Sequence, residues 1–183
     1  MLITHEREKM IQAIIFFAKN TRYCGKVKLF KLLYFLDFEH FKTTGRSVTG
    51  LTYSAWPMGP VPVALYGELD CPEPDLAEAV KISEIATGRM PMLSFDPLVD
   101  FSADHFTRRE MKLMQQLAHE YADCKSEEII EATHLENLPW DRVFNKEGKK
   151  QAEIPYSYAL RASEAEEMMQ MVGERQEFMQ AIA

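Results

Sequence analysis

The sequence is short of the features that announce most enzymatic chemistry. Its three cysteines, Cys24, Cys71 and Cys124, are far apart, odd in number and form no CxxC pair. A disulfide scaffold or a thiolate zinc site is therefore excluded as a first reading, and a reducing compartment suits the chain. No two of the five histidines, His5, His40, His105, His119 and His134, have the spacing of an HExxH metal motif. The eight glycines are dispersed, and no GxGxxG, Walker loop or GxSxG elbow occurs. No cofactor and no catalytic group is expected. Basic charge is scarce too: 21 basic against 28 acidic side chains leave a formal net charge of −7. A sequence-independent grip on nucleic acid needs a basic field, so nucleic acid is a disfavoured partner, and a DNA-binding autoregulator would need a basic recognition helix that is absent. The longest apolar run near the start, Ile14 to Ala18, is too brief for a signal-peptide core or a membrane span. A cytoplasmic chain with no membrane partner is the expectation.

What is present fits a globular domain. Hydrophobic residues make up 46% and charged residues 27% of 183 residues, enough to complete one core without disulfide or metal. A single domain over residues 1–183 follows. Apolar positions from about Ile3 to Lys19 recur at helical spacing. The segment Lys26 to Lys42, KVKLFKLLYFLDFEHFK, has neither proline nor glycine and is apolar around most of its circumference. Such a helix is central, with neighbours on several sides. Its polar sector is Lys28, Lys31, Glu39 and Lys42. Asp37 projects opposite that sector, where an unpaired carboxylate is costly, so it requires a partner. The basic clusters Arg7 to Lys9, Lys26 to Lys31 and Lys146 to Lys150 read as solvated surface.

Beyond Gly45, the segment Ser47 to Trp56 has the β-branched and aromatic content of a strand. PMGPVP then forces a fixed, turned backbone that continues neither a helix nor a paired strand. Pro62 can open a helix through Leu69. CPEPD reads as a loop. VKISEIAT and MPMLSF around Gly88 and Arg89 read as a hairpin, the alternative being a helix over Leu76 to Ile85. Capping-box spacings at Thr107/Glu110 and Ser163/Glu166 start two helices, and Ser126 caps a short one between them. The fold class is thus mainly α (α+β), a helical domain around a central buried helix with a small antiparallel β element. Residues 163–183 form a helical extension packed on it.

Some residues carry two readings. Asp37 and His40 are three apart on one helix face, the spacing of half a metal site or an acid/base pair, although a plain hydrogen-bonded Asp and His is the ordinary outcome. A small metal-dependent enzyme would use that pair, with His134 folded near it. Cys24, beside Gly25 at a helix start, has no identifiable base to activate it. Met168, Met169, Met171 and Met179 with Phe178 favour core packing, the competing view being a helix docked on a partner.

In order, KLFKLLYFLDFEHF, Gly45-Arg46, YSAWPMGPVP with Tyr66 following, and THLENLPW resemble the successive signatures of the Panacea domain, also described as SocA-like or phage-associated GepA-like. The similarity spans about Lys26 to Trp140. It implies a non-enzymatic antitoxin that neutralises a cognate toxin protein by direct contact, or a proteolytic adaptor that delivers a toxin to an AAA+ protease. A phage-associated protein of another role is also compatible. Within the motifs, Trp56, Pro57, Met58, Gly59 and Pro60 make a rigid aromatic–proline platform suited to a partner, unless Trp56 merely packs on the central helix. Trp140 reads as a lid over the core, with His134 as its hydrogen-bonded neighbour.

Overall fold

The densest apolar stretch of the sequence becomes the axis of the fold. In the computed structural model, which describes residues 4–87, 90–135 and 138–181, helix α1 (Glu6–Asn20) leads into helix α2 (Lys26–Thr44). Leu29, Phe30, Leu32, Leu33, Leu36 and Phe38 of α2 are all buried. The helix runs two residues past Lys42 and stops at Gly45, whose φ of 66° closes the last turn in the left-handed region where glycine carries no steric penalty. Ile3, the start expected for α1, lies outside the described residues.

Around α2 pack α1, helix α5 (Arg108–Glu120) and helix α6 (Ser126–Thr133), together with a small hairpin, β1 (Ser54–Trp56) and β2 (Gly59–Val61). Short helices α3 (Val63–Glu68) and α4 (Pro74–Ala79) lead to a second hairpin, β3 (Val80–Thr87) and β4 (Met90–Pro97). The expected VKISEIAT/MPMLSF hairpin therefore forms, pairing from Val80 opposite Pro97 to Thr87 opposite Met90. Gly88 and Arg89, expected at its turn, lie outside the described residues. The helical alternative over Leu76 to Ile85 holds only to Ala79. CPEPD is only partly loop, because Pro74 occupies the first turn of α4, where its missing amide costs nothing.

Polar anchors hold the layers in place. Arg7 on α1 makes forked contacts to Glu68 of α3 and Asp75 at α4. Lys9 bonds Glu110 on α5 at 2.7 Å. The Thr107/Glu110 capping box closes in both directions. Ser126 does not cap α6: Lys125 stands at that place and its amide donates to Glu128, leaving Ser126 as the first helical residue.

Three corrections concern the strand and the surface. Only Ser54–Trp56 of the Ser47 to Trp56 segment pairs as a strand, because the amides of Val48 and Thr49 turn inward to the Asp37 carboxylate. PMGPVP does contain a paired strand. Pro60 sits opposite Ala55, between the pairs Trp56–Gly59 and Ser54–Val61. Antiparallel ladders need amide bonds only at alternate positions, so one proline is accommodated there. Lys28 and Lys31 are buried instead of solvated. The Lys28 ammonium donates to the carbonyls of Arg22, Cys124 and Ala122 at 2.7, 2.8 and 3.3 Å, a socket made by the turns that follow α1 and α5. Free carbonyls at helix ends favour a cation, which is why a lysine can enter there.

After α6, a short helix α7 (Pro139–Asp141) continues into a wide turn, Arg142–Lys146. Residues 151–154 then lie along the free edge of β1, with Ile154 N donating to Tyr53 O and Ala55 N to Ala152 O. A 3-10 turn (Tyr156–Ala159) brings Tyr156 onto Phe38 and Phe41. Helix α8 (Ala162–Ala181) ends the chain's described part. It begins one residue before Ser163, so the expected Ser163/Glu166 box lies inside its first turn and not at the cap. The methionine stripe is not core either. Met168 and Val172 rest near Gly45, but Met169, Met171 and Phe178 face solvent, and no residue described in α8 is buried.

Candidate functional site

The motif residues converge from three places. Within the hairpin, Pro57 and Met58 form the turn between β1 and β2 and stand exposed, while Gly59 and Pro60 are buried against α2. Gly59 has φ of 95°, and a Cβ added there would come within 2.8 Å of both the Lys31 side chain and Thr133 Oγ1. Both the conformation and the space require glycine. Beneath it, Lys31 extends from α2 and donates to the Pro60 carbonyl at 2.7 Å. Lys31 is 1% exposed, and burial brings its pKa down to about 7.

Trp140 closes the rear of this turn. Its indole Nε1 donates to the Trp56 carbonyl at 2.9 Å across 84 residues of sequence. The ring is buried, as a lid over the core requires, and stacks between His134 and Phe144, with centroids 3.8 and 4.6 Å away. His134 is thus a stacking neighbour and not a hydrogen-bonded one. Its Nε2 is buried without a hydrogen-bond partner among the described residues. Burial, with Lys31 nearby, lowers its pKa and so favours the neutral imidazole.

On the outer side, Trp56 is half-buried and its ring meets Tyr66 of α3 at 5.3 Å. Tyr66 also touches Phe30 at 6.3 Å and lies under the Lys26 ammonium at 4.9 Å. Met58 is 56% and Tyr66 38% exposed, with Val63 open beside them. Trp56 therefore packs inward against the core and is open to solvent on its outer flank. Lys31, Thr133, Lys26 and Val63 belong to this cluster without having been singled out in the sequence. Lysine and threonine in a helix carry no mark that tells a buried anchor from a surface residue.

Asp37 and His40 are not brought together. Asp37 Oδ1 accepts the amides of Val48 and Thr49 at 2.7 and 2.8 Å, and Oδ2 accepts the hydroxyls of Thr49 and Tyr53 at 2.5 and 2.6 Å. The partner that burial demands is thus a loop of neutral donors and not His40. Complete burial raises the Asp37 pKa to about 6, against the pull of those four bonds. His40 Nδ1 instead donates to the Arg46 carbonyl at 2.8 Å. His134 lies at the other end of the fold's axis, beside Lys31 and Trp140. Among the described residues, no three His, Cys, Asp or Glu side chains are grouped to hold a metal ion. Burial raises the Cys24 pKa, so its thiol is not an activated nucleophile.

No helix of the described residues is long and apolar enough to cross a membrane. A family model described as "antitoxin SocA-like, Panacea domain" matches residues 29–141, more than half of the chain. No match was found among curated proteins or among solved structures.

Proposed function

The chain belongs to the antitoxin SocA-like, Panacea-domain family, and from that premise we propose that it is a protein-binding antitoxin whose partner, a toxin protein, seats on the face formed by Trp56, Met58, Val63 and Tyr66. One observation carries the reading. Large apolar side chains stand exposed on a backbone that is already fixed from behind, by Lys31 on Pro60 and by Trp140 on Trp56. A pre-ordered apolar face loses little conformational entropy on docking, the property of residues that dominate binding energy. Lys26 over Tyr66 adds a cation at the rim that an acidic partner residue would meet. The function needs no catalytic group, and neutralisation is contact itself.

Co-expression with the product of each neighbouring gene is the direct test. Growth should be restored in one pairing, and the two chains should co-purify. Met58→Asp should weaken that complex tenfold or more while changing stability by no more than about 0.5 kcal/mol, and Tyr66→Ala should weaken it as much at a stability cost of about 1–2 kcal/mol for its lost ring contacts. Unrelieved toxicity in every pairing, or a complex indifferent to both substitutions, sinks the reading. The adaptor form of the proposal adds one contact, to an AAA+ protease. It predicts that the toxin is degraded faster when this chain is present, whereas direct inhibition predicts a long-lived complex.

A further inference from the structure

Opposite in character to the apolar face is a cleft where α5, α8 and the turn after α2 meet. Arg46 follows the Gly45 stop of α2, Arg109 lies in the first turn of α5, and Arg175 projects from the inner side of α8. All three line one cavity of about 470 Å³, together with Lys9, His40, Thr44, Thr107 and Glu110. A second lobe of about 730 Å³ shares Lys9, Arg46, Glu110 and Arg175 and is bounded by Phe41 and Tyr156.

Glu110 is the one carboxylate of the first lobe, and it is already committed. Its Oε1 takes Lys9 at 2.7 Å and its Oε2 takes the Thr107 amide at 2.7 Å. No hydrogen bond or ion pair among the described residues engages the guanidinium of Arg46, Arg109 or Arg175. Three uncompensated guanidinium groups from three separate elements thus face one concave space, in a chain whose net charge is −7. Arg7 and Arg22 find carboxylates elsewhere in this fold, and Arg108 and Arg161 have no ion pair among the described residues but stand outside this cleft; what sets the cleft apart is three such groups lining one cavity whose carboxylate is already engaged. Leaving three together is stable when an anion completes them.

We propose that this cleft binds a compact, multiply charged phosphate group of a small ligand. A guanidinium presents a planar fork that matches phosphate oxygens two at a time, and three forks lining one cavity suit a compact polyanion better than an extended acidic peptide. The volume lies in the range of small-ligand sites. The second lobe, with Phe41 and Tyr156 at its wall, leaves room for an attached organic portion. The inference does not depend on the partner assigned to the Trp56 face, which lies on other elements.

Titration calorimetry of the full chain with inorganic triphosphate at low ionic strength tests it. The expected result is saturable one-to-one binding, weakened about tenfold or more by Arg46→Ala and by Arg109→Ala, as loss of one charge-assisted contact requires. Arg22→Ala, at a distant ion pair, should leave it unchanged, and circular dichroism should show all three variants folded. The proposal is overturned by an absence of saturable binding, by binding that survives both cleft substitutions, or by tighter binding of an oligoglutamate peptide of equal charge. That last outcome would reassign the cleft to a protein segment.

Discussion

Helix α2 buries a cation and an anion six residues apart, and it satisfies them in opposite ways. Asp37 has four donors gathered on two oxygens, all from one loop between Val48 and Tyr53. Lys31 has a single carbonyl, that of Pro60, although an ammonium can donate three bonds. Among the described residues, neither has a counter-ion. The carboxylate end is therefore a fastener, because the loop's amides have no other acceptor and that segment has no strand to pair with. The lysine end is a prop: it supports the Gly59–Pro60 turn from beneath, where the protein holds its exposed apolar face. One end of the helix fixes the fold, and the other fixes the candidate binding surface.

Asp37→Ala is the harshest way to break the contrast. It strands two amides and two hydroxyls in the core, and at about 1–3 kcal/mol for each unsatisfied buried group, partly relieved by rearrangement, a loss of about 3–5 kcal/mol is expected in urea denaturation. Asp37→Asn should cost far less. Its amide oxygen can still accept from Val48 and Thr49, and the two hydroxyls can turn to accept from its nitrogen. If Asn proves as damaging as Ala, the charge matters and not merely the acceptors, and Asp37 is more than a fastener.

Next in size are the pH effects, and their signs are opposed. The folded-state pKa of Asp37, about 6, lies above the ordinary carboxylate value of 3.8, so the folded chain holds this proton more tightly than the unfolded one. Its contribution is fully present below about pH 4 and is lost as pH rises through 6, by about 3 kcal/mol in all. Lys31, lowered from 10.5 to about 7, releases its proton earlier when folded. Its contribution is present at alkaline pH and is lost as pH falls through 7. Subtracting the stability profile of Asp37→Asn from that of the parent should isolate a fall between pH 4 and 6. The same subtraction with Lys31→Met should isolate a rise above pH 7. A difference profile of the wrong sign for either residue would mean that its burial does not control its ionisation.

How far these features could be read beforehand depends on where their partners sit in the chain. The central helix, the β3–β4 hairpin and the Thr107/Glu110 box were legible because each rests on local spacing. Asp37's need for a partner was legible as well, since a carboxylate on an apolar face advertises its cost. The partner itself was not, because backbone amides of Val48 and Thr49 carry no side-chain signature. Lys28 and Lys31 looked like a solvated sector for the same reason: the acceptors that admit them are carbonyls of distant turns. Periodicity placed the α8 methionines on a helix but could not say whether a neighbour covers them. The meeting of Trp56 with Trp140 had no sequence signal, because its link is a backbone carbonyl accepting an indole proton across 84 residues.

The smallest expected effect tests the prop directly. Lys31→Met keeps the length of the side chain and its packing beneath Gly59, where the parent chain's Cε already fills the space a Cβ would need. The substitution removes one hydrogen bond and leaves the Pro60 carbonyl without this donor, a loss of about 1 kcal/mol. It also removes the cost of burying an ammonium that has no counter-ion, which offsets that loss. Above about pH 10, where the folded-state group is neutral and its burial costs little, the net change in stability should stay within about 1 kcal/mol. The turn should then keep its place, and binding at the Met58–Tyr66 face should fall much less than with Tyr66→Ala. A loss above about 3 kcal/mol would show that Lys31 anchors the core as Asp37 does. Stability retained with binding abolished would show that the charge, and not the support it gives, is what the partner reads.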